Sequence, residues 1–317
     1  MGEIRIGTSG WSYPTGKGTW NGIFYPVPPG KRSGRGSRFD DLRFYAEHFN
    51  TVEINSTFYG VPTPATTRGW AERTPPGFEF SLKLFQKFTH PDMFLKATGG
   101  DPWTLGQKDV DDFRGAIEPL AAAGKLGALL AQFPASFRNE PDTRAYLEWL
   151  LEHFKEYPVA LELRHRSWSD QPVETLQMLD AFGAAWAQID EPKFRFSIRQ
   201  NLLPNVRTFY YLRLHGRNAA QWWKHEASED RYNYLYSADE LRPFAEAARE
   251  ASREVRKAYL YANNHFSAKS VANAAILKHD LGQPLDGEYP QEFVDRYPDL
   301  KGLVRILPVP TLLRTPS

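Results

Sequence analysis

Short apolar runs alternate with helical stretches along this chain. Eight runs predict strands, at residues 3–8, 51–55, 78–84, 127–132, 159–164, 184–190, 208–214 and 258–262. Apolar residues at helical spacing between them predict helices at 39–49, 64–73, 111–123, 142–154, 173–182, 238–257 and 267–281. Strands that alternate with helices are typical of parallel strands joined by crossover helices.

The number of units predicts the fold. Eight strand-and-helix units in about 280 residues are what a closed (β/α)₈ barrel requires, so we predict an α/β fold with a single TIM-type barrel. An open doubly wound sheet is the alternative, but its usual G-x-G-x-x-G fingerprint is absent from Gly7-Thr8-Ser9-Gly10. All 317 residues then form one domain, with a long basic loop at about 14–38 and a C-terminal extension at about 284–317.

Several predicted strands carry polar residues on one face. Arg213 and His215 alternate with Leu212 and Leu214, for example. The face opposite the helices points into a barrel, where polar groups are costly unless they are paired or wet. At the carboxyl ends of the strands they would instead line the mouth, where barrel enzymes hold their active sites. The predicted mouth residues are Glu53, Asn55, Lys83, Gln132, Glu162, Arg164, Asp190, Arg213, His215 and Asn263.

Composition excludes some kinds of chemistry. A net charge of +1 gives no overall field that favours nucleic acid or a membrane surface. The absence of cysteine excludes disulfides, a thiolate nucleophile and cysteine-based metal centres. We see no signal peptide at the N-terminus and no run of about 18 apolar residues, so we expect a cytoplasmic protein without a membrane span.

The mouth residues suggest acid–base catalysis on an anion. Glu53 and Glu162 would act as base and acid, and His215 would carry a proton. Lys83 and three arginines outnumber the acids there, which favours an anionic ligand. The alternative is that these charges pair with one another as a structural network. The predicted substrate-binding residues are Trp11, Tyr13, Asn55, Lys83, Gln132, Arg164, His165, Asp190, Arg213, Arg217 and Asn263.

A metal ion is the weaker hypothesis. Four strand ends offer oxygen or nitrogen donors that suit Mg²⁺, Mn²⁺ or Zn²⁺, namely Glu162, Asp190, His215 and Asn263. Arg164 and Arg213 would repel a cation nearby, and the sequence lacks an H-E-x-x-H motif. The sequence therefore leaves open whether a metal or another cofactor binds.

A series of motifs resembles the YecE-like family, known as domain of unknown function 72. They run from residue 4 to residue 281 and include Ile6-Gly7-Thr8-Ser9-Gly10-Trp11, Thr51-Val52-Glu53-Ile54-Asn55, Gln132-Phe133-Pro134, Leu161-Glu162-Leu163-Arg164-His165, Leu212-Arg213-Leu214-His215-Gly216-Arg217 and Asn263-Asn264-His265. The resemblance implies a TIM-type barrel. It implies no activity, because the family is named for lacking one.

Three hypotheses of function follow. The first is an enzyme, a hydrolase or isomerase, that acts on a small anionic or polyhydroxylated substrate without a redox cofactor. The second is a nucleic-acid-binding or processing protein, in which Arg32, Arg35 and Arg38, together with aromatic residues of the loops, bind a nucleic-acid strand. The third is a non-catalytic ligand sensor on a barrel scaffold. The sequence predicts neither the substrate nor the oligomeric state.

Overall fold

A computed structural model describes residues 1–28, 39–99, 105–200, 208–224 and 226–308. Within these ranges nine strands are found: β1 (Glu3–Thr8), β2 (Thr51–Ile54), β3 (Glu79–Lys83), β4 (Leu126–Gln132), β5 (Val159–Glu162), β6 (Ala185–Trp186), β7 (Gln188–Asp190), β8 (Tyr210–Leu214) and β9 (Lys257–Ala262). The α-helices are α1 (Asp41–Ala46), α2 (Pro64–Glu72), α3 (Gln86–Thr89), α4 (Pro91–Thr98), α5 (Gln107–Ala122), α6 (Pro141–Phe154), α7 (Arg166–Asp170), α8 (Pro172–Ala181), α9 (Ala238–Glu254), α10 (Lys269–Asp280) and α11 (Gln291–Arg296).

The strands form two parallel sheets. One has the order β1-β9-β8-β7, and the other has the order β2-β3-β4-β5-β6. Only Ala187 separates β6 from β7, and its amide donates to the carbonyl oxygen of Leu161 at 2.9 Å. At the other side, the Gly10 amide donates to the Glu53 carbonyl at 2.7 Å. The predicted α/β fold with parallel strands is confirmed. A closed (β/α)₈ barrel is not, because these contacts do not make a continuous ladder within the described residues.

The two faces of the strands differ in what they pack against. Leu129 and Leu161 belong to the main apolar core, which the helices share. Their neighbours Leu130 and Ala160 belong to a second, smaller cluster, together with Tyr211 and other tyrosines and alanines. The second face is thus apolar in the middle of the strands. It carries one charged group at the amino ends, where Glu79 pairs with Arg5 and Lys257 and accepts from Tyr259, and another at the carboxyl ends.

Local chemistry explains where helices begin. The helix predicted at 39–49 begins at Asp41, because the side chain of Asp40 accepts the amides of Leu42 and Arg43 as an N-cap. The helix predicted at 267–281 begins at Lys269. Ser267 and Ala268, before it, have left-handed φ values of 53° and 63°, which cost free energy for residues other than glycine.

The C-terminal extension packs against an aromatic layer. Phe293, in α11, lies 5.5 Å from Phe24 between ring centroids, and Tyr289 lies 4.5 Å from the ring of His48. The basic segment 31–38 lies outside the described residues, and the nucleic-acid hypothesis depends on it. Among the helices that are described, each is too short or too polar to cross a bilayer.

Candidate functional site

Arg213 is the centre of a buried ion-pair network below the mouth. Its Nε and Nη2 donate to the two carboxylate oxygens of Glu53 at 2.9 and 2.7 Å, and its Nη1 donates to Glu162. The phenol of Tyr211 also donates to Glu53, at 2.7 Å. Arg213, Glu53 and Glu162 are all at most 1% exposed. The guanidinium, on β8, therefore neutralises two carboxylates that come from the separate strands β2 and β5.

Glu162 joins Arg213 to a second arginine. Arg164 donates from Nε to the Oε1 atom of Glu162 at 2.7 Å, and its Nη1 lies 3.5 Å from Glu191 Oε2. The Nδ2 atom of Asn263 donates to His215 Nδ1 at 2.8 Å. His215 Nε2 lies 3.4 Å from Glu162 Oε1 and 3.4 Å from Arg164 Nη2.

Burial and charge set the protonation of this network in opposite directions. Burial alone would raise the pKa of Glu162, but Arg213, Arg164 and His215 outweigh it and hold the pKa well below its ordinary value. Burial lowers the pKa of His215 to about 3, and the attraction of Glu162 does not compensate. Near neutral pH, Glu162 is therefore a carboxylate and His215 is a neutral ring.

A cavity of about 440 Å³ lies beside this network, at the carboxyl ends of the strands, and we call it the mouth cavity. Its polar lining comes from Lys83, His90, Gln132, Ser136, Arg164, Glu191, Ser197 and Arg231. Its aromatic lining comes from Phe58, Tyr59, Phe194, Phe196, Trp222, Trp223 and Tyr232. A polar floor inside aromatic walls is the usual composition of a small-molecule site.

Lys83 has the most unusual environment in the mouth cavity. It ends β3, and its Nζ lies 3.9 Å from the ring centre of Phe58. Within the described part of the chain, this amine makes no hydrogen bond or ion pair. Burial, followed by repulsion from Arg213, lowers the pKa of the amine to about 7. A large share of Lys83 is therefore neutral at physiological pH.

Glu191 lines the mouth cavity and was missed by sequence reasoning. It is 5% exposed, and burial raises its pKa against the opposing effect of Arg164. The sequence predicts Asp190 at this strand end instead, and Asp190 is bound by Arg217. Ile189 has the strand parity of Ala185 and Ala187 but belongs to the main core, so alternation breaks between β6 and β7 and gives no signal for Glu191.

Three of the predicted substrate-binding residues line the mouth cavity, and they are Lys83, Gln132 and Arg164. Two more, Arg213 and Asn263, lie in the buried network below it. The three residues predicted to be catalytic, Glu53, Glu162 and His215, also lie in that network and do not line the cavity. Their catalytic roles stay predictions.

The remaining predicted binding residues lie elsewhere on the same side of the molecule. Arg217 donates to both oxygens of Asp190, at 2.8 and 3.1 Å, and Tyr236 also donates to that carboxylate. Tyr13 stacks on His265 at 4.4 Å, and its phenol donates to the carbonyl oxygen of Ser9. These contacts hold the loops that follow the strands.

Three further predicted residues have local contacts. Trp11 packs edge-on against Trp70 with ring centroids 5.9 Å apart. Asn55 precedes a short 3₁₀ turn at Ser56–Phe58, and His165 caps α7 by accepting the Ser167 amide at Nδ1. None of the three lines the mouth cavity as the described residues define it.

The hypothetical metal ligands do not converge. Glu162, His215 and Asn263 are neighbours, but Asp190 is bound by Arg217, and Arg164 lies between Glu162 and the mouth cavity. In the described ranges, no three His, Asp or Glu side chains are grouped in a way that could hold an ion.

The fold and the mouth cavity define a class of protein with parallel α/β sheets and a polar site at the carboxyl ends of the strands. Residues 5–293 match the family described as "Protein of unknown function DUF72". The chain belongs to this family, and the resemblance drawn from its motifs is confirmed.

Relatives and solved structures agree with this assignment. UPF0759 protein YunF of Bacillus subtilis is 26% identical over 296 residues, covering 91% of this chain and 98% of the relative. UPF0759 protein YecE of Escherichia coli is 30% identical over 126 residues, covering 39% of this chain and 41% of that protein. A DUF72 structure from Thermotoga maritima is 33% identical, with a TM-score of 0.72 over 88% of this chain and 99% of that one. Another from Enterococcus faecalis is 24% identical, with a TM-score of 0.73 over 91% and 100% of the two chains.

Proposed function

We propose that this protein is an enzyme that binds a small anionic or polyhydroxylated substrate in the mouth cavity and transfers protons there. The observation that carries the proposal is the convergence of Lys83, Gln132, Arg164 and Glu191 on one cavity at the ends of separate strands. Active sites of parallel α/β proteins lie at this edge.

The charges of the lining residues support an anionic ligand. Arg164 has two carboxylate neighbours, Glu162 at 2.6 Å and Glu191 at 3.5 Å, and Lys83, which is partly protonated near pH 7, adds positive charge without an ion pair in the described residues. Arg164 presents a planar fork that suits a carboxylate or phosphate. Gln132, partly exposed, offers both an amide donor and an acceptor for hydroxyl groups.

One lining group, Lys83, has a pKa that suits proton transfer near neutral pH, and the pKa of a second, Glu191, is shifted upwards. Burial lowers the pKa of Lys83 to about 7 and raises that of Glu191. An efficient acid or base has a pKa near the working pH. Lys83 would take a proton from the substrate and Glu191 would return one. Glu162 and Glu53, deeper in the protein, would hold the arginines in place.

We also infer that the two sheets are parts of one closed barrel. The chain passes from β6 to β7 across Ala187, and the Gly10 amide bonds to the carbonyl oxygen of Glu53 at the opposite seam. Closure would explain why the face opposite the helices holds small alanines beside tyrosines, since a barrel interior is filled by side chains of its own strands.

Calorimetric titration tests the proposed function. The probes are inorganic phosphate, pyruvate and gluconate, and the proteins are the wild type, Arg164→Gln and Arg144→Gln. Arg144 is a matched control because it pairs with Glu174 at 3.1 Å and does not line the mouth cavity.

We expect at least one probe to bind the wild type and the control equally, and to bind Arg164→Gln about tenfold or more weakly, since one charged hydrogen bond contributes about 1.5–3 kcal/mol. The proposal fails if none of the probes binds, or if both variants bind like the wild type.

A further inference from the structure

We propose that Lys83 is a nucleophile that forms an imine with an aldehyde or ketone bearing a carboxylate or phosphate group. This inference rests on the proposed function and deepens it, because it names carbonyl anions as the substrate class. The amine lies on the floor of the mouth cavity with Arg164 on the same floor, so a ligand can reach both groups.

The surroundings of Lys83 differ from those of a structural lysine. Lys125 is buried, and its Nζ donates to the carbonyl oxygens of Ala71 and Thr74 at 2.7 and 2.6 Å. The Nζ of Lys83 has no such acceptor among the described residues and instead lies over the ring of Phe58. Lys83 is half-buried and its side chain lines the mouth cavity. An amine that faces a cavity and is not held by a protein acceptor is available to a ligand.

The electrostatics of the site support the same role. Only the neutral amine is nucleophilic, and burial together with the charges of Arg213 and Arg164 lowers the pKa of Lys83 to about 7. Enzymes activate lysine nucleophiles in this way, by desolvation and by a neighbouring cation. The neutral fraction at pH 7 then exceeds that of an ordinary lysine by about three orders of magnitude.

The step balances without an oxidant or reductant. The Nζ lone pair attacks the carbonyl carbon, a C–N bond forms, and one of the two nitrogen protons passes to the carbonyl oxygen to give a carbinolamine. The nitrogen lone pair then forms the C=N bond as the C–O bond breaks, and the remaining nitrogen proton passes to the carboxylate that has protonated the departing hydroxyl. The oxygen leaves as water. Glu191, whose pKa is raised by burial, is the lining acid that can protonate the departing hydroxyl. Arg164 would hold the anionic group of the substrate.

Reductive trapping tests the inference directly. The full-length protein is incubated with glyoxylate, pyruvate or glyceraldehyde 3-phosphate, reduced with sodium borohydride, digested and mapped by mass spectrometry. Borohydride converts the imine into a stable secondary amine. We expect at least about tenfold more adduct at Lys83 than at any other lysine, given its larger neutral fraction.

Matched variants control for reactivity elsewhere. Lys83→Arg should abolish the main adduct, and Lys87→Arg should keep it, because Lys87 is held by Asp109 at 2.8 Å and lies outside the mouth cavity. If no probe labels Lys83, or if labelling is spread evenly over the lysines, the inference is overturned. Probe binding in the calorimeter, lost in Arg164→Gln, would in that case still support the proposed function and leave Lys83 as a proton carrier. Loss of binding as well would remove both.

Discussion

At the scale of single residues, Arg213 is the side chain on which the interior depends most. It is 1% exposed and bonds to both Glu53 and Glu162. We expect Arg213→Met to lower the free energy of unfolding by about 3–5 kcal/mol, because removing one partner leaves buried charges without compensation. Urea denaturation measures this. Arg144→Met, which breaks a partly exposed pair, should lower it by less than about 1 kcal/mol. Equal stability of the two variants would contradict the role of Arg213.

Replacing Lys83 should change the stability of the fold in the opposite direction to replacing Arg213. The lowered pKa of Lys83 means that the folded protein disfavours the charged amine, so we expect Lys83→Met to raise the free energy of unfolding at pH 7 by about 1–3 kcal/mol. The unfolded chain binds more protons than the folded one between the folded pKa of about 7 and the ordinary value of 10.5. Wild-type stability therefore rises with pH in that window, relative to the variant.

Denaturation at pH 7 and at pH 10 checks this second prediction. The advantage of Lys83→Met should shrink as the pH rises and be nearly absent at pH 10. A variant that is less stable than the wild type at pH 7 would show that the charged amine stabilises the fold.

Sequence alternation predicted some of these residues and misplaced others. It predicted that Lys83, Gln132 and Arg164 lie together, because their strands are parallel and end at the same edge of the sheet. It predicted Asp190, and not Glu191, as a residue of the mouth. The strand predicted at 184–190 is interrupted, and only alanines mark its inner face. It could not separate the residues of the buried ion-pair network from those that line the mouth cavity. Whether a side chain belongs to one or the other depends on how far along its strand it lies.

At the scale of elements, caps and turns define the boundaries. Ser237 immediately precedes α9. Its Oγ accepts a hydrogen bond from the Glu240 amide at 3.3 Å, and its own amide donates to the Glu240 carboxylate at 2.9 Å. This reciprocal arrangement is a capping box. The sequence pattern Ser-x-x-Glu predicts it, and the predicted start of this helix agrees with the structure. The left-handed pair before α10 has no comparable signal, because Ser267 and Ala268 are residues that seldom adopt that conformation.

Removal of the cap should destabilise the protein measurably. Ser237→Ala should lower the free energy of unfolding by about 1 kcal/mol, and Ser237→Gly by only a few tenths, as measured by chemical denaturation. An alanine variant as stable as the wild type would mean that the hydroxyl contributes nothing to α9.

At the scale of the whole molecule, the approach of β1 to β2 limits which residues fit. A Cβ atom on Gly7 would lie 2.2 Å from the backbone oxygen of Thr51, which is too close for any side chain. The alternation of strands and helices predicted the parallel sheets correctly. It could not show whether the sheets close, because closure depends on backbone hydrogen bonds at two seams that side-chain patterns do not encode.

Gly7→Ala tests how far the fold depends on this seam. We expect a loss of at least about 2 kcal/mol in the free energy of unfolding, in the upper range for single substitutions, because backbone must move. Gly115→Ala is the control, since Gly115 lies inside α5 with open space around it and should gain about 0.5–1 kcal/mol. A neutral Gly7→Ala would mean that the seam is loose.

The pH dependence of Lys83 reactivity tests the proposed chemistry most directly. The protein is acetylated briefly with a trace of reagent at pH values from 5 to 11, and each lysine is quantified by mass spectrometry. Lys108 is the internal control, because its bond to Asp112 raises its pKa above 10.5. We predict half-maximal reactivity of Lys83 near pH 7, several pH units below that of Lys108. A midpoint near the ordinary value of 10.5 would contradict it.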